Sequence, residues 1–343
     1  MTCGIKNMIA KAIMLTTGFA AMSVTVSCVH EWPDDNRTVK VRLTVSHDTD
    51  WTEYEYNAGY SGRSAALATE AQYVFQVYRK GDTTSPVKRQ TFTRNDLSLA
   101  DFEVELELPS GEWDIYAWQD FVPEDDAPFY DCSDFSRISY TEPYRGDTDW
   151  RDAFEGRTSV SVPSTIEAGA SVSGTISLER PLAKYVFIAT DFNEFFSDMV
   201  KKEEATHDTA GDDALSASAA GALDGFGVKL RYPLYMPGVY DMFGQRVADS
   251  LTGISYDASI TPVGNGEAVI AFDYVFMNHH DSGVQVQLSL KSPSGSVTGL
   301  TGTLSVPLLR GRITYVRGRF LTASVGSGLD VDFSFSDDIN IKV

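Results

Sequence analysis

The chain has 343 residues, 43% of them hydrophobic, which is enough for two domains that each bury a core. Its 48 acidic residues outnumber the 28 basic ones and give a formal net charge of −20. A surface this acidic repels phosphate backbones, so the composition argues against nucleic acid as a partner.

The first 27 residues have the layout of a secretory signal peptide. Lys6 and Lys11 precede an apolar run from Ala12 to Val26, and this segment contains no acidic residue. The run of about 15 residues is shorter than the roughly 20 residues that a membrane-spanning helix needs. We therefore predict that residues 1–27 are removed on export.

Cys28 directly follows the apolar run, in the position of the lipidated cysteine of bacterial lipoproteins. The small residue Ser27 fits cleavage between Ser27 and Cys28, whereas Thr25 replaces the large aliphatic residue that is usual there. Two or three acyl chains on such a cysteine attach a protein durably to a membrane. We expect residues 28–36 to form a lipidated linker; an ordinary signal cleavage nearby, with Cys28 incidental, is the alternative.

The following residues show the pattern of short strands separated by turn residues. Residues 39–45 alternate between apolar and polar, so one face of that strand is apolar. Residues 102–108 alternate in the same way, and the alternation resumes at Trp113 after Pro109-Ser110-Gly111, which predicts a hairpin. The other predicted strands are 73–79, 159–162, 171–178, 185–190, 228–232, 268–277, 284–290, 301–307, 313–320, 331–335 and 339–343. Since no strand–helix–strand rhythm is visible, the predicted fold class is all-β, built from sandwiches.

One amphipathic helix is expected in the second half of the chain, lying against a sheet. Asp191 precedes it and is predicted to cap its N-terminus, with Glu194 completing the pair. The apolar residues of its single stripe are Phe192, Phe195, Phe196, Met199 and Val200.

Two domains are predicted, an N-terminal β-sandwich of residues 37–180 and a C-terminal β-sandwich of residues 181–343. Their boundary is placed at Glu179–Pro181, between two predicted strands. Residues 123–150 are rich in Asp, Tyr and Pro and are predicted to be a long loop of the first domain, whereas residues 202–227 are predicted to be a solvent loop of the second.

Motifs for catalysis, phosphate binding and metal binding are incomplete. Residues 59–62 lack the full spacing of a nucleophile elbow, and residues 225–227 lack the third glycine and the Lys-Ser pair of a phosphate loop. The polar clusters 47–50, 147–152 and 279–281 have too few ligands for a metal and are interpreted as polar turns. We predict no enzymatic activity, no metal and no cofactor, and we interpret Cys132 as a partly buried, inert thiol.

Seven short blocks follow one another from Cys28 nearly to the end of the chain. They read CVHEWP at 28–33, GEWDIYAW at 111–118, RDAF at 151–154, RPLAKYVFIATD at 180–191, YPLYMP at 232–237, FDYV at 272–275 and PLLRGR at 307–312. Together they resemble the fimbrillin superfamily of Bacteroidales, and within it the anchor or minor-subunit type of fimbrial lipoprotein. The acidic residues Glu31, Asp34 and Asp35 resemble the surface-export signal of Bacteroidales lipoproteins.

The resemblance implies two tandem transthyretin-like β-sandwiches, a lipid anchor on the surface of the outer membrane, and a role in building or holding a fimbria. It also implies other fimbrial subunits as partners, bound by β-strand addition.

Two alternatives stay open on the sequence. Polymerising members of the superfamily lose an N-terminal segment after an arginine, and Arg37, Arg42 and Arg63 are candidates here, with Arg63 in a stretch of small residues. The second alternative is a surface module that binds a glycan or a host protein, with aromatic residues that stack on sugars. The aromatic residues considered for that role are Trp113, Trp118, Trp150 and Tyr144.

Overall fold

The structure, a computed structural model, describes residues 38–48, 69–165, 170–206, 223–280, 282–322 and 339–342. The predicted signal peptide, Cys28 with its linker, and Arg63 lie outside these residues, as does the strand predicted at 331–335.

The described residues form strands connected by turns, together with one α-helix and a short 3-10 helix at Asp149–Arg151. The strands are β1 Thr38–His47, β2 Thr69–Arg79, β3 Lys88–Arg94, β4 Phe102–Pro109, β5 Gly111–Pro123, β6 Tyr130–Asp131, β7 Ile138–Tyr140, β8 Ala153–Val162, β9 Ser171–Leu178, β10 Leu182–Ala189, β11 Gly227–Arg231, β12 Tyr235–Asp241, β13 Arg246–Thr252, β14 Ser255–Ala258, β15 Thr261–Gly264, β16 Glu267–Phe276, β17 Ser282–Lys291, β18 Val297–Leu300, β19 Leu304–Leu308, β20 Ile313–Gly318 and β21 Ile339–Lys342. The helix, α1, spans Phe192–Thr206. The predicted all-β class with one helix is thus confirmed.

Two pairs of sheets enclose the apolar core. Strands of the first half of the chain, residues 37–180, form the sheets β4-β1-β9 and β3-β2-β5-β8. Strands of the second half, residues 181–343, form the sheets β15-β16-β10-β20-β21 and β14-β11-β17-β18, with β19 also paired to β17. Inward-facing residues of facing sheets share the core, as in sandwich packing.

The hairpin predicted around residues 109–111 is wrong. β4 pairs with β1, whereas β5 pairs with β2 and β8, so the two consecutive strands belong to different sheets. Gly111 has a φ of +146°, and a Cβ there would lie 3.2 Å from the ring of Trp113. The turn residues therefore mark a corner at which the chain crosses from one sheet to the other.

The region predicted as a long loop, residues 123–150, is also more ordered than expected. It contains β6 and β7, and β7 pairs with β12 in the other half of the chain. The resulting sheet β13-β12-β7-β6, called here the seam sheet, joins the two halves. Aromatic residues of the region 123–150 belong to the core: Tyr130 and Phe135 are buried.

Helix α1 has the predicted apolar stripe, but its predicted cap is wrong. Phe195 is buried and packs edge-to-face on Phe226. The carboxylate of Asp191 instead accepts hydrogen bonds from the backbone N–H groups of Leu321 and Thr322, at 3.1 and 2.7 Å, and so ties the start of the helix to the segment that follows β20.

Candidate functional site

Strand β1 lies in a slot between β4 and β9, and we call this groove the β1 slot. β1 pairs antiparallel with β4 and parallel with β9. The strict alternation of its sequence puts Val39, Val41, Leu43 and Val45 on the core side, where the last three are 0% exposed. The strand therefore contributes a continuous apolar row to the core of the first half.

The outer face of β1 is basic and lies beside an acidic strand. Lys40 is in register with Glu107 and Arg42 with Glu105. The Lys40 ammonium lies 2.6 Å from the Glu105 carboxylate, and Arg42 Nε lies 3.5 Å from it. The hydrogen bond from Lys40 is the main reason that the pKa of Glu105 is lowered. Opposite charges across neighbouring strands favour this register of β1.

On the other side of the β1 slot, Gly174 of β9 makes room for a large side chain. A Cβ at Gly174 would lie 3.0 Å from Leu43 Cδ2, closer than ordinary van der Waals contact. The slot is therefore shaped for leucine at this position of β1.

The end of β1 carries a half-buried histidine. The His47 ring packs edge-to-face on Phe154 and Tyr73, with centroids 5.3 and 6.0 Å away. Burial lowers the pKa of His47 from 6.5 to about 4, so the ring is neutral in the folded protein above that pH.

Acidification is expected to weaken the folded protein through His47. The pKa of His47 is lower in the folded than in the unfolded chain. The stability that the neutral ring contributes to the folded protein is therefore complete above pH 6.5 and is lost as the pH falls through about 4. The slope from one such group is at most about 1.4 kcal/mol per pH unit. Unfolding free energies of wild type and His47→Gln, measured from pH 7 to pH 4, should converge as the pH falls.

A buried carboxylate elsewhere provides the matched control for this pH series. Burial raises the pKa of Asp147 to about 7, so this group stabilises the folded protein increasingly as the pH falls from 7 to 4. The unfolding free energy of wild type should therefore rise relative to that of Asp147→Asn over this range, whereas it should fall relative to that of His47→Gln. A constant difference between wild type and His47→Gln over the whole range would contradict the role given to His47.

The last described strand, β21, lies at an edge of a second-half sheet. It pairs parallel with β20, from Thr314↔Ile339 to Arg317↔Lys342, and follows residues 323–338 in the chain. An edge strand presents one row of backbone donors and acceptors that a strand of another chain can pair with.

The two halves are joined by a buried ionic network as well as by the seam sheet. The guanidinium of Arg151 donates to the carboxylate of Asp273, and both side chains are at most 2% exposed. Tyr144 and Tyr232 each donate a hydroxyl hydrogen bond of 2.7 Å to the same carboxylate. Burial raises the pKa of Asp273, while Arg151 and the tyrosines act against that rise by stabilising the charge.

The cluster 147–152, predicted to be a polar turn, is instead part of this network. Asp149 accepts a 2.6 Å hydrogen bond from Lys184, and both side chains are at most 3% exposed. Asp152 binds the guanidinium of Arg180 at 2.9–3.1 Å. Both carboxylates neutralise buried cations, and the pair of Asp149 with Lys184 crosses the predicted boundary and so helps to fix how the halves meet.

The aromatic residues considered for sugar stacking do not form an exposed platform. Trp113, Trp118 and Trp150 are 2%, 0% and 5% exposed, and the hydroxyl of Tyr144 belongs to the Asp273 network. Cys132 is a buried free cysteine, and burial raises the pKa of its thiol to about 12. Those residues therefore serve packing in the folded chain.

The residues predicted for processing, Ser27, Cys28 and Arg63, lie outside the described residues. In the part of the chain that the structure describes, no helix is long and apolar enough to cross a membrane.

Comparison with solved structures finds fimbrial proteins from Porphyromonas gingivalis and Parabacteroides distasonis. The fimbrial anchor protein Mfa2 from Porphyromonas gingivalis is 15% identical with a TM-score of 0.37, and the match covers 77% of this chain and 82% of that one. A fimbrial assembly protein from Parabacteroides distasonis is 14% identical with a TM-score of 0.39, covering 82% and 91%. The tip fimbrial protein Mfa3 from Porphyromonas gingivalis is 10% identical with a TM-score of 0.35, covering 79% and 81%.

No curated protein matches the chain significantly. A sequence family does match, and its match runs over residues 33–343, which includes every described strand. The chain belongs to this family, the family of unknown function DUF6562.

Proposed function

We propose that the protein is a cell-surface lipoprotein that serves as an anchor or minor structural subunit of a fimbria. Its two halves would be tandem transthyretin-like β-sandwich domains, with residues 1–27 removed and Cys28 carrying the lipid. The observation that carries the proposal is the β1 slot. β1 begins at Thr38, so a chain processed at Cys28 keeps the whole strand and its slot stays filled.

The linker sets how far the folded chain stands from the membrane. Ten peptide units separate Cys28 from Thr38, and an extended chain spans at most about 3.3–3.6 Å per residue. The start of β1 would therefore stay within about 35 Å of the lipid headgroups. This tether is short enough for an anchor that holds its partners close to the outer membrane.

The partner in this proposal is a neighbouring fimbrial subunit, bound by β-strand addition. The support is β21, which, among the described strands, lies at the end of its sheet next to β20. A C-terminal strand in this position can leave the edge and pair with another subunit, or accept a strand of that subunit beside it.

The anchor step is tested with the lipid cysteine. Cys28→Ala is expected to release the protein from the envelope of the native cell into the soluble fraction, because the acyl chains supply the attachment. Cys132→Ala, which changes a buried cysteine remote from the linker in sequence, is the matched control and should stay with the membrane. Unchanged retention of Cys28→Ala would refute the lipid anchor.

A protease-matured, polymerising pilin is the second candidate function. One observation favours it: Arg63 lies in the connection between the end of β1 at His47 and the start of β2 at Thr69. Cleavage after Arg63 would separate β1 from the rest of the chain and leave an apolar slot for a donated strand.

A further inference from the structure

A cleft lined by arginine and histidine side chains opens where the two halves of the chain meet. Its volume is about 390 Å³, and it lies between the β9–β10, β16–β17 and β19–β20 connections. Five of its nine lining residues are arginine or histidine, namely Arg180, His279, His280, Arg310 and Arg312.

Two of the arginines are fixed by hydrogen bonds to buried side chains. Arg180 is fixed by Asp152, as described above, and Arg310 donates to Glu155 at 2.6 Å and to Tyr240 at 2.7 Å. These partners are buried, so the guanidinium groups are oriented before any ligand arrives.

The third arginine is available for a ligand. Arg312 is exposed and has no ion pair with any residue that the structure describes, and His279 and His280 on the same rim are exposed as well. The acidic lining residues are Asp48 and Glu179, and Glu179 already accepts a 2.9 Å hydrogen bond from Arg310. Asp152 and Glu155 neutralise Arg180 and Arg310, so the guanidinium that the cleft offers to a carboxylate of a ligand is that of Arg312.

We propose that this cleft binds an acidic segment of a neighbouring protein through the carboxylates of its Asp or Glu side chains. A guanidinium matches a carboxylate with two parallel N–H···O hydrogen bonds, and the histidine rings add further donors. An acidic sugar fits less well, since none of the lining residues is Trp, Tyr or Phe, which supply the stacking faces of sugar sites.

The position of the cleft favours a protein over a lipid headgroup. Asp48, which lines it, directly follows β1, and a ten-residue strand is about 33 Å long. The cleft thus lies at the end of β1 remote from Thr38, the end nearer to Cys28. The preference for a protein over a lipid headgroup rests on the proposed function, because it takes Cys28 as the lipid anchor. Carboxylate binding by the cleft does not depend on it.

The test measures binding of a synthetic peptide to the purified mature chain in detergent. The probe contains four consecutive aspartates between Gly-Ser flanks, and a peptide with asparagines in their place is the control. We expect the aspartate peptide to bind, to bind more weakly as salt screens the charges, and to lose about tenfold in affinity with Arg312→Glu. Arg231→Glu, the same charge change at an exposed arginine of β11 outside the cleft, should bind like wild type.

Three results would overturn the assignment. They are equal binding of the two peptides, equal affinity of wild type and Arg312→Glu, and a preference for trigalacturonate over the aspartate peptide. Because binding is measured without an envelope, its failure is distinguishable from failure of the Cys28 anchor.

Discussion

Leu43→Ala is expected to lower the free energy of unfolding by about 2–5 kcal/mol, the range for truncating a buried leucine. Leu43 is 0% exposed and lies against Gly174, which has no side chain that can move into the space left behind. The cavity would open in the β1 slot itself. Guanidinium unfolding of the mature chain measures the change from the shift of the transition midpoint at constant slope.

The matched control for this prediction is a leucine that is not in the core. Leu234 is 50% exposed, so Leu234→Ala removes the same atoms at a much smaller cost. If Leu43→Ala were no more destabilising than Leu234→Ala, β1 would not be an integral strand of the first half, and the account of the slot would be wrong.

Asp273→Asn is expected to destabilise the folded chain by about 3–5 kcal/mol, the usual cost of breaking a buried ion pair. The change leaves the guanidinium of Arg151 buried without its countercharge, between the rings of Tyr140 and Tyr144 at 4.4 and 4.2 Å. The shape of the site hardly changes, so the loss reports charge rather than packing. Chemical unfolding at neutral pH measures it.

A double-mutant cycle separates the ion pair from its surroundings. Arg151→Met combined with Asp273→Asn removes both charges and should recover part of the stability that Asp273→Asn loses. Glu105→Gln, at the exposed ion pair with Lys40, should change the stability far less than Asp273→Asn does. Strictly additive losses in the cycle would contradict a direct coupling between Arg151 and Asp273.

The sequence predicts some features of the β1 slot and misses others. The apolar face of β1 could be predicted because residues 39–45 alternate without interruption, and β9 has the predicted bounds, Ser171–Leu178. The slot could not be predicted, since the pairing of β1 with β4 and with β9 joins residues more than 55 positions apart. Local periodicity contains no information on such pairing.

Strand β12 shows why parts of the second half escaped prediction. Pro237 and Gly238 interrupt the period-2 pattern, and the pairing with β13 shifts register on either side of Val239. A Cβ at Gly238 would lie 2.2 Å from Leu251, so the glycine is needed for close contact within the sheet and does not mark a turn. Turn-type residues therefore hide this bulged strand from the sequence pattern.

The ionic network at the junction was missed for a different reason. Asp149, Asp152 and Asp273 look like surface residues in the sequence, because charged residues are seldom fully buried. Their partners Lys184, Arg180 and Arg151 come from distant parts of the chain. One signal was available: all three cations lie in the blocks RDAF and RPLAKYVFIATD that carried the family resemblance.

The most direct test of the central claim is the intact mass and N-terminal residue of the protein purified from its native envelope. The account predicts a chain that begins at Cys28, with the mass of two or three acyl chains added, and therefore retains the whole of β1 from Thr38 to His47. A chain that begins after Arg63, without β1 and without lipid, would contradict the anchor and identify a protease-matured pilin.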